Sequence, residues 1–290
     1  AYVTDVTTGE NRGRVMSVVE LLTWVAILIV YGGSGLLIEN LGYFAFFYII
    51  GGLVFVLGLV GGLLVQEELP TDVPQKSYWK QLTEAFQWRT LTANRDFFLV
   101  LLGISLWAIA QNVFFPYLII YLQHYLQLDT MTATVTIAIS ILVGGIAMAW
   151  PLGLLVDRWG RKPVALLAVG AEMVGLVLFS LSRTLAPLLV TGILWLIPLT
   201  AWTIATGTWN KDLFPEDRRG QFAGFYLFFL VMIPMILGPL TGGYLGTRFG
   251  IPTVINGQPG FIPTPLLFQV AGVATLLAAI PIWFAKEKRS

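Results

Sequence analysis

The sequence predicts an all-α integral membrane protein whose chain crosses the bilayer eight times. Its composition is the first observation that carries this prediction. Of the 290 residues, 57% are hydrophobic and only 11% are charged, whereas a soluble globular domain has about 25% charged residues. So few charges do not cover the surface of a soluble protein of this length. Lipid is therefore the expected solvent over most of the surface.

Eight apolar segments supply the second observation. Each is long enough to cross a bilayer, because about 20 apolar residues span the hydrocarbon core as a helix. Backbone groups in lipid must satisfy their own hydrogen bonds, which favours helices over open strands. The predicted segments are 15–38, 43–65, 97–122, 132–156, 163–182, 187–209, 221–246 and 265–285.

Lysine and arginine concentrate on one side of this predicted array. If the N-terminal stretch lies in the cytosol and the segments alternate, only Arg183 and Arg248 of the 17 basic residues face the other side. An excess of Lys and Arg marks the cytosolic loops of membrane proteins. We therefore predict a multi-pass protein of the cell membrane, embedded in the lipid bilayer, with both ends of this chain in the cytosol. No nucleic-acid partner is expected.

A long polar segment at 66–96 divides the array. Within it, residues 78–91 have one apolar face and predict a helix lying on the membrane surface; a disordered linker is the alternative. We predict the end of one bundle at 1–65, a cytosolic linker at 66–96 and a six-helix bundle at 97–290.

An internal repeat supports two bundles. A shift of 207 residues aligns Arg12 with Arg219 and Gly13 with Gly220, each in an acid-x-Arg-Gly pattern. Parallel repeats of this kind relate the two halves of some membrane transporters.

The loop between the fourth and fifth segments reads GLLVDRWGRK. It resembles the pattern G-x-x-x-D-(R/K)-x-G-(R/K)-(R/K) of the major facilitator transporters. This resemblance implies a fold of twelve helices in two six-helix bundles, of which this chain would supply helices five to twelve and thus a fragment of a monomeric parent. The matching residues are Gly153, Asp157, Arg158, Gly160, Arg161 and Lys162.

An aspartate just beyond a helix end can accept hydrogen bonds from the N-terminal N–H groups of a neighbouring helix. The resemblance implies that Asp157 reaches the helix that begins after Gly13, and that the basic residues of the motif pair with acids across the bundle interface. A plain positively charged cytosolic anchor is the alternative. The predicted gating residues are Asp157, Arg158, Gly160, Arg161, Lys162, Arg12, Arg219 and Asp217.

Polar residues in the middle of the third segment suggest a solute site. Pro116 cannot donate a hydrogen bond to the carbonyl of Asn112, which leaves an acceptor beside two amide side chains for a hydroxyl-rich solute. Tyrosines beyond it can stack on a ring. The alternative is that these side chains form hydrogen bonds between helices, each of which stabilises the fold by about 0.6 kcal/mol on average. The predicted substrate-binding residues are Gln111, Asn112, Tyr117, Tyr121, Trp202 and Thr206.

Glu172 is the acid placed at the centre of a spanning segment. An ionisable residue inside a membrane is by default a candidate for function, so Glu172 and Glu20 are the predicted ion-coupling residues. The alternative for Glu172 is a protonated, structural carboxyl group.

Several function classes are excluded or disfavoured. The chain has no cysteine and one histidine, which excludes metal sites built from several Cys or His ligands within it. It has no G-x-x-x-x-G-K-(S/T) phosphate-binding loop. We expect no metal, no cofactor and no enzymatic activity.

The resemblance instead implies secondary active transport of a small solute. The stretches NVFFPYLIIYLQHYL and TWNKDLFPEDRRGQFAGF are similar to glycoside–cation symporters. We therefore predict proton- or sodium-coupled symport of a sugar or glycoside. Efflux of drugs or metabolites is one alternative, and a non-transporting receptor or scaffold on a transporter fold is another.

Overall fold

The computed structural model describes residues 12–64, 92–214, 219–255 and 258–287. This part of the chain contains eight helices long and apolar enough to cross a membrane, and each matches a predicted segment. They are α1 Arg12–Val30, α2 Leu41–Leu64, α3 Arg95–Tyr125, α4 Thr130–Trp159, α5 Arg161–Leu181, α6 Leu185–Asp212, α7 Phe222–Phe249 and α8 Leu266–Phe284. The predicted membrane fold class is confirmed.

Helices α1 and α2 belong to one helix, Arg12–Leu64, that is interrupted at Gly42. Gly42 has φ of 80°, and glycine adopts positive φ without steric penalty. The sequence predicts a short connection at this place, and the structure reduces it to a single non-helical residue. Most side chains of α2 are apolar and exposed, as expected for a surface that faces lipid or other membrane helices.

The six helices α3 to α8 pack together into one bundle. The most extensive contacts join α5 with α6, α4 with α6, and α3 with both α7 and α8. Glycines allow these helices to approach closely. An ideal Cβ at Gly175 of α5 would lie 2.8 Å from the Cα of Trp195 on α6, and one at Gly238 of α7 would overlap Asn112 of α3. Small residues at helix interfaces are typical of membrane proteins.

Helix α1 packs across α4 and α6 of this bundle. Two glycines of α4 form the surface on which α1 packs. An ideal Cβ at Gly153 would lie 2.6 Å from Ser17, and one at Gly145 would lie 2.8 Å from the indole ring of Trp24. Gly153 is the first residue of the loop motif, and this close approach explains why the position requires glycine.

Helices α3 and α4 depart from regular geometry in the same half of the bundle. In α3, a 3₁₀ turn at Phe115–Tyr117 contains Pro116, and a wide π turn follows at Tyr121–Tyr125. A second π turn in α4 covers Ile141–Ala147. Such turns are rare and occur frequently at functional sites.

A β-hairpin joins α7 to α8 and was not predicted. Strand β1, Ile251–Ile255, pairs antiparallel with β2, Gln258–Ile262. The sequence carries a signal for it, because Asn-Gly at 256–257 lies between two short runs. We call this end of the molecule the hairpin end. The opposite end, where α1 begins and α4 and α6 end, is the Arg12 end.

Candidate functional site

The loop motif joins α4 to the first turn of α1 at the Arg12 end. Asp157 Oδ1 accepts a hydrogen bond from the backbone N–H of Gly13 at 3.0 Å, and its Oδ2 accepts one from that of Arg14 at 3.2 Å. The Arg14 guanidinium lies 3.4 Å from the same carboxylate. Asp157 therefore satisfies the otherwise unpaired N–H groups at the N-terminus of α1, where the helix dipole is positive.

A second charged contact lies beside the first. The carboxylate of Asp212 at the end of α6 pairs with the guanidinium of Arg12 on α1. Its other oxygen lies 3.1 Å from Nε of Arg161, at the start of α5. Asp212 therefore connects α1 with two helices of the six-helix bundle.

Glu287, just beyond α8, performs the equivalent role within the bundle. Its carboxylate accepts hydrogen bonds from the backbone N–H groups of Arg161 at 2.6 Å and Lys162 at 3.1 Å, at the N-terminus of α5. Gly160 has φ of 95° and ends α4 directly against this carboxylate. The motif thus has two capped helix starts, α1 on one side and α5 on the other.

Among the described residues, Arg158 and Lys162 form no ion pair across the interface, contrary to the prediction, and the Arg161–Asp212 pair lies within the six-helix bundle. Lys162 Nζ donates to the carbonyl oxygens of Trp283 at 2.6 Å and Ala285 at 2.8 Å, which lie at the end of α8 in the same bundle. Free carbonyls at a helix C-terminus attract cations, which accounts for this position. Arg158 is exposed and has no ion pair among the described residues. Asp217 and the side chain of Arg219 lie outside the described part of the chain.

A cavity of about 130 Å³ lies between α1 and the six-helix bundle, in the half of the molecule toward the hairpin end. Apolar and aromatic side chains form most of its wall. Its lining includes Trp24 of α1, Phe115 and Pro116 of α3, Ser140 of α4 and Trp195 of α6. The non-α-helical turns of α3 and α4 both contribute to this wall.

None of the six predicted substrate-binding residues lines this cavity. Asn112 donates to the carbonyl of Ala108 in its own helix at 2.8 Å and packs against Gly238 of α7. Tyr117 faces α7 and contacts the ring of Phe261 in the hairpin, with centroids 5.7 Å apart. These two side chains therefore pack between helices.

The other predicted substrate-binding residues are buried within the six-helix bundle. Tyr121 stacks on Tyr125 at 5.1 Å and packs against Phe268 of α8. Trp202 stacks on Trp107 of α3 with centroids 5.7 Å apart. The hydroxyl of Thr206 donates to the carbonyl of Trp202 in the preceding turn.

Glu172 and Gln111 come together at the centre of the bundle. Glu172 is fully buried; its carboxylate accepts hydrogen bonds from Trp107 Nε1 and Gln111 Nε2, both at 2.6 Å. The second atom of the Gln111 amide, Oε1, is buried without a hydrogen-bond partner among the described residues. The three side chains connect α5 to α3 by hydrogen bonds.

Glu20 lies in a different environment from Glu172. Its carboxylate is close to Trp24 of its own helix, to Thr203 of α6 and to Tyr226 of α7. This position is the junction of α1 with the six-helix bundle. Of the two predicted ion-coupling residues, Glu20 is thus the one in contact with both units.

Sequence reasoning missed three of the residues that build this region. Asp212 lies within the internal repeat, where it aligns with Asp5, and follows the apolar segment 187–209. Its position at a helix end could therefore have been predicted from the sequence. Glu287 is an acid at the end of the last segment, close to where α5 begins in space, and only the packing of α8 on α5 reveals that. Trp195, Trp202 and Trp209 recur every seven residues and share one helix face, so the sequence does not show that Trp195 lines a cavity while the other two pack inside the bundle.

Comparison with solved structures shows the same fold. A crystal structure of a bacterial homologue of the iron transporter ferroportin, in an outward-facing state, superposes with a TM-score of 0.66 at 17% identity over 97% of this chain. A crystal structure of the transporter FucP in the outward conformation gives a TM-score of 0.64 at 14% identity over 99% of the chain. The chain spans 65% and 71% of the lengths of these two structures.

No curated protein sequence is significantly similar to the chain. A family model does match, over residues 1–152 and again over residues 142–290, and it describes the Major Facilitator Superfamily. The family and both structural neighbours are transporters rather than enzymes. With every residue inside one of these two matches, the chain belongs to the Major Facilitator Superfamily.

Proposed function

We propose that the chain is the gating and cavity-forming part of a secondary active transporter that moves a small solute by alternating access. The observation that carries this proposal is the Asp157 carboxylate, which holds the N-terminus of α1 against the six-helix bundle. It links the two units at the Arg12 end, while the cavity between the same units lies toward the hairpin end. That arrangement corresponds to one extreme of a rocking motion.

The closed end is held by contacts that can separate as a set. The Asp157 bonds and the Arg12–Asp212 pair all cross between α1 and the six-helix bundle. Charge-assisted hydrogen bonds contribute about 1.5–3 kcal/mol each, so a few of them suffice to bias a two-state equilibrium. We propose that the Arg12 end faces the cytosol, in keeping with the distribution of Lys and Arg. The described state is then the outward-facing one, the state in which both structural neighbours were solved.

Coupling to an ion is proposed at Glu20. A carboxylate of α1 that lies beside Thr203 of α6 and near Tyr226 of α7 changes the charge at the surface between the moving units when it binds a proton or sodium ion. Glu172 is the second candidate. Both of its oxygens accept hydrogen bonds from α3 within one unit, so its protonation would act on the packing of the bundle.

For the solute, we propose a sugar or glycoside taken up by symport. The similarity of α3 and of the α6–α7 connection to glycoside–cation symporters supports this proposal. Efflux of an apolar metabolite or drug is the second candidate, and the apolar wall of the cavity favours it. A receptor or scaffold on the same fold would bind solute without flux.

One experiment separates these candidates. Membrane vesicles containing the protein are tested for uptake of labelled glycosides and, in parallel, for efflux of a lipophilic cation, each with a proton or sodium gradient. Asp157→Asn, which removes the charge but keeps the side-chain size, should abolish whichever flux is present. Gradient-driven flux that survives Asp157→Asn would contradict the proposed gate, and solute binding without any flux would contradict transport.

A further inference from the structure

The cavity between α1 and the six-helix bundle has the size of a site for one ring. Its volume is about 130 Å³. An engineered apolar cavity of roughly 150 Å³ stays dry and binds benzene. Within the described part of the chain no charged side chain lines it, so a charged ligand would lose its hydration without a compensating partner.

The two hydroxyl groups in the wall already donate hydrogen bonds within their own helix. The hydroxyl of Thr136 donates to the carbonyl of Thr132 at 2.7 Å, and that of Ser140 donates to the carbonyl of Thr136 at 2.8 Å. Both bonds lie within α4. These hydroxyl protons are therefore not available to a ligand, and the two side chains present mainly carbon atoms and oxygen lone pairs.

The indole N–H groups of Trp24 and Trp195, which both line the cavity, are different. Neither Nε1 has a hydrogen-bond partner among the described residues, although that of Trp24 lies near the Glu20 carboxylate of its own helix. Trp195 is only 3% exposed. The rings of Phe115 and Phe179, which also line the cavity, stand edge-on to it at 6.2 and 6.3 Å. A buried donor without an acceptor is unfavourable by about 1–3 kcal/mol, and a ligand acceptor would remove that penalty.

We propose that this cavity binds an uncharged aromatic ring that carries one hydrogen-bond acceptor, with the Trp195 N–H as the donor that orients it. The inference rests on the proposed function, since it names the chemical class of the group that the transporter holds. The aromatic aglycone of a glycoside and an apolar aromatic metabolite share this chemistry, so the subsite fits both solute classes.

Because the subsite lies between α1 and α6, a bound ligand would affect how α1 packs against the six-helix bundle. Trp24 and Ile27 belong to α1, whereas Trp195 and Leu196 belong to α6. A bound ring therefore contacts both units and adds apolar contact between them. Ligand binding at this place would favour the state in which α1 stays against α4 and α6 in the hairpin half.

The test uses the protein in lipid nanodiscs and two fluorinated probes of similar size, 4-fluoroacetophenone and 1-ethyl-4-fluorobenzene. Binding is followed by the ¹⁹F signal of each probe, with empty nanodiscs as the partition reference. We expect saturable binding of both and tighter binding of the ketone. In Trp195→Phe the ketone should bind about fivefold more weakly, the effect of one lost hydrogen bond of about 1 kcal/mol, while the hydrocarbon is unchanged.

Two further variants keep the test decisive. Trp209→Phe is the matched control, because Trp209 is a buried indole on the same helix, also without a partner among the described residues, and it does not line the cavity. Ile119→Trp places a large ring in the wall and should abolish binding of both probes. Absence of saturable binding, or an equal loss of both probes in Trp195→Phe, would overturn the proposal.

The outcome is independent of the transport assay. Probe binding is measured without a gradient, so binding that persists in a protein with no flux contradicts the proposed function alone. Flux without saturable probe binding contradicts the subsite alone.

Discussion

An ideal Cβ at Gly13 would overlap the carboxylate of Asp157, since the backbone N–H of Gly13 is itself one of the donors to that group. The contact between α1 and α4 thus depends on a missing side chain as much as on a charge. Gly153 repeats the requirement on the other helix, where a Cβ would meet Ser17 at 2.6 Å. Two glycines and one aspartate bring the helices close enough for backbone recognition.

Gly13→Ala should therefore disable the gate without removing a charge. Displacing Asp157 loses two charge-assisted hydrogen bonds, about 3 kcal/mol or more, which shifts the equilibrium away from the state closed at the Arg12 end. We expect loss of most of the flux measured in vesicles. Gly58→Ala is the control, because a Cβ at this position of α2 meets nothing within 4 Å. Equal flux in the two variants would rule out the steric argument.

Glu172 shows how a buried acid can serve the fold. Replacing it with alanine leaves the Trp107 N–H and the Gln111 amide buried without their acceptor, at about 1–3 kcal/mol each. We expect Glu172→Ala to lower the thermal unfolding temperature of the purified protein strongly. Glu172→Gln retains an acceptor oxygen and should lower it much less. A stability of the alanine variant equal to that of the unaltered protein would show that water or lipid satisfies these donors.

At the scale of helices, the ends are joined by acids that cap neighbouring N-termini. Asp157 lies in the last turn of α4 and caps α1, whereas Glu287 follows α8 and caps α5. The first contact crosses between units and the second lies within the six-helix bundle. The same chemistry is therefore used once where the molecule must open and once where it must remain closed.

Glu287→Ala should accordingly change stability rather than gating. Loss of a helix N-cap lowers the free energy of unfolding by about 0.5–2 kcal/mol. Here two backbone N–H groups of α5 lose their acceptor. We expect a lower unfolding temperature and faster hydrogen exchange at Arg161 and Lys162. Lys286→Ala is the matched control, since Lys286 is exposed and its contact with Asp96 uses only the backbone N–H. A loss of flux at unchanged stability would instead place Glu287 in the gate.

Element positions were predictable because each spanning segment is bounded by polar residues, and the length of an apolar run needs no tertiary information. The hairpin was missed because a two-stranded ribbon gives only a weak local signal beside a helix of 20 apolar residues. The placement of Asn112 and Tyr117 was missed for another reason. Sequence spacing shows which side chains share a helix face, but only packing shows that Gly238 and Phe261 occupy the space in front of them.

For the whole molecule, the relation between the two ends decides whether α1 moves against the bundle. Contacts between α1 and the bundle involve α4 and α6. At the Arg12 end they include charged groups, and near the cavity they are apolar, with Trp24 on Gly145. Water can replace the charged contacts when they separate, and the apolar contacts can slide past each other. Both properties suit a rocking motion of α1 against the bundle.

A cross-link across the Arg12 end tests this motion. The chain has no cysteine, so an introduced pair is unique. Met16 of α1 and Lys211 of α6 touch through their side-chain ends, with Sδ and Nζ 2.7 Å apart. Met16→Cys with Lys211→Cys, bridged by a short bifunctional thiol reagent, should stop flux because the Arg12 end stays closed. If the reagent is a bis-methanethiosulfonate, which forms a disulfide with each cysteine, cleavage of the bridge by a reductant should restore flux.

The control pair lies inside the six-helix bundle. The hydroxyl oxygens of Ser182 and Thr191 are 3.0 Å apart, between the end of α5 and α6. Ser182→Cys with Thr191→Cys, joined by oxidation, should leave flux intact because the bundle moves as one body. If both bridges stop flux, the six-helix bundle itself must deform during transport. If neither does, the solute passes without separation of α1 from α6, and alternating access between these two units is not how the protein works.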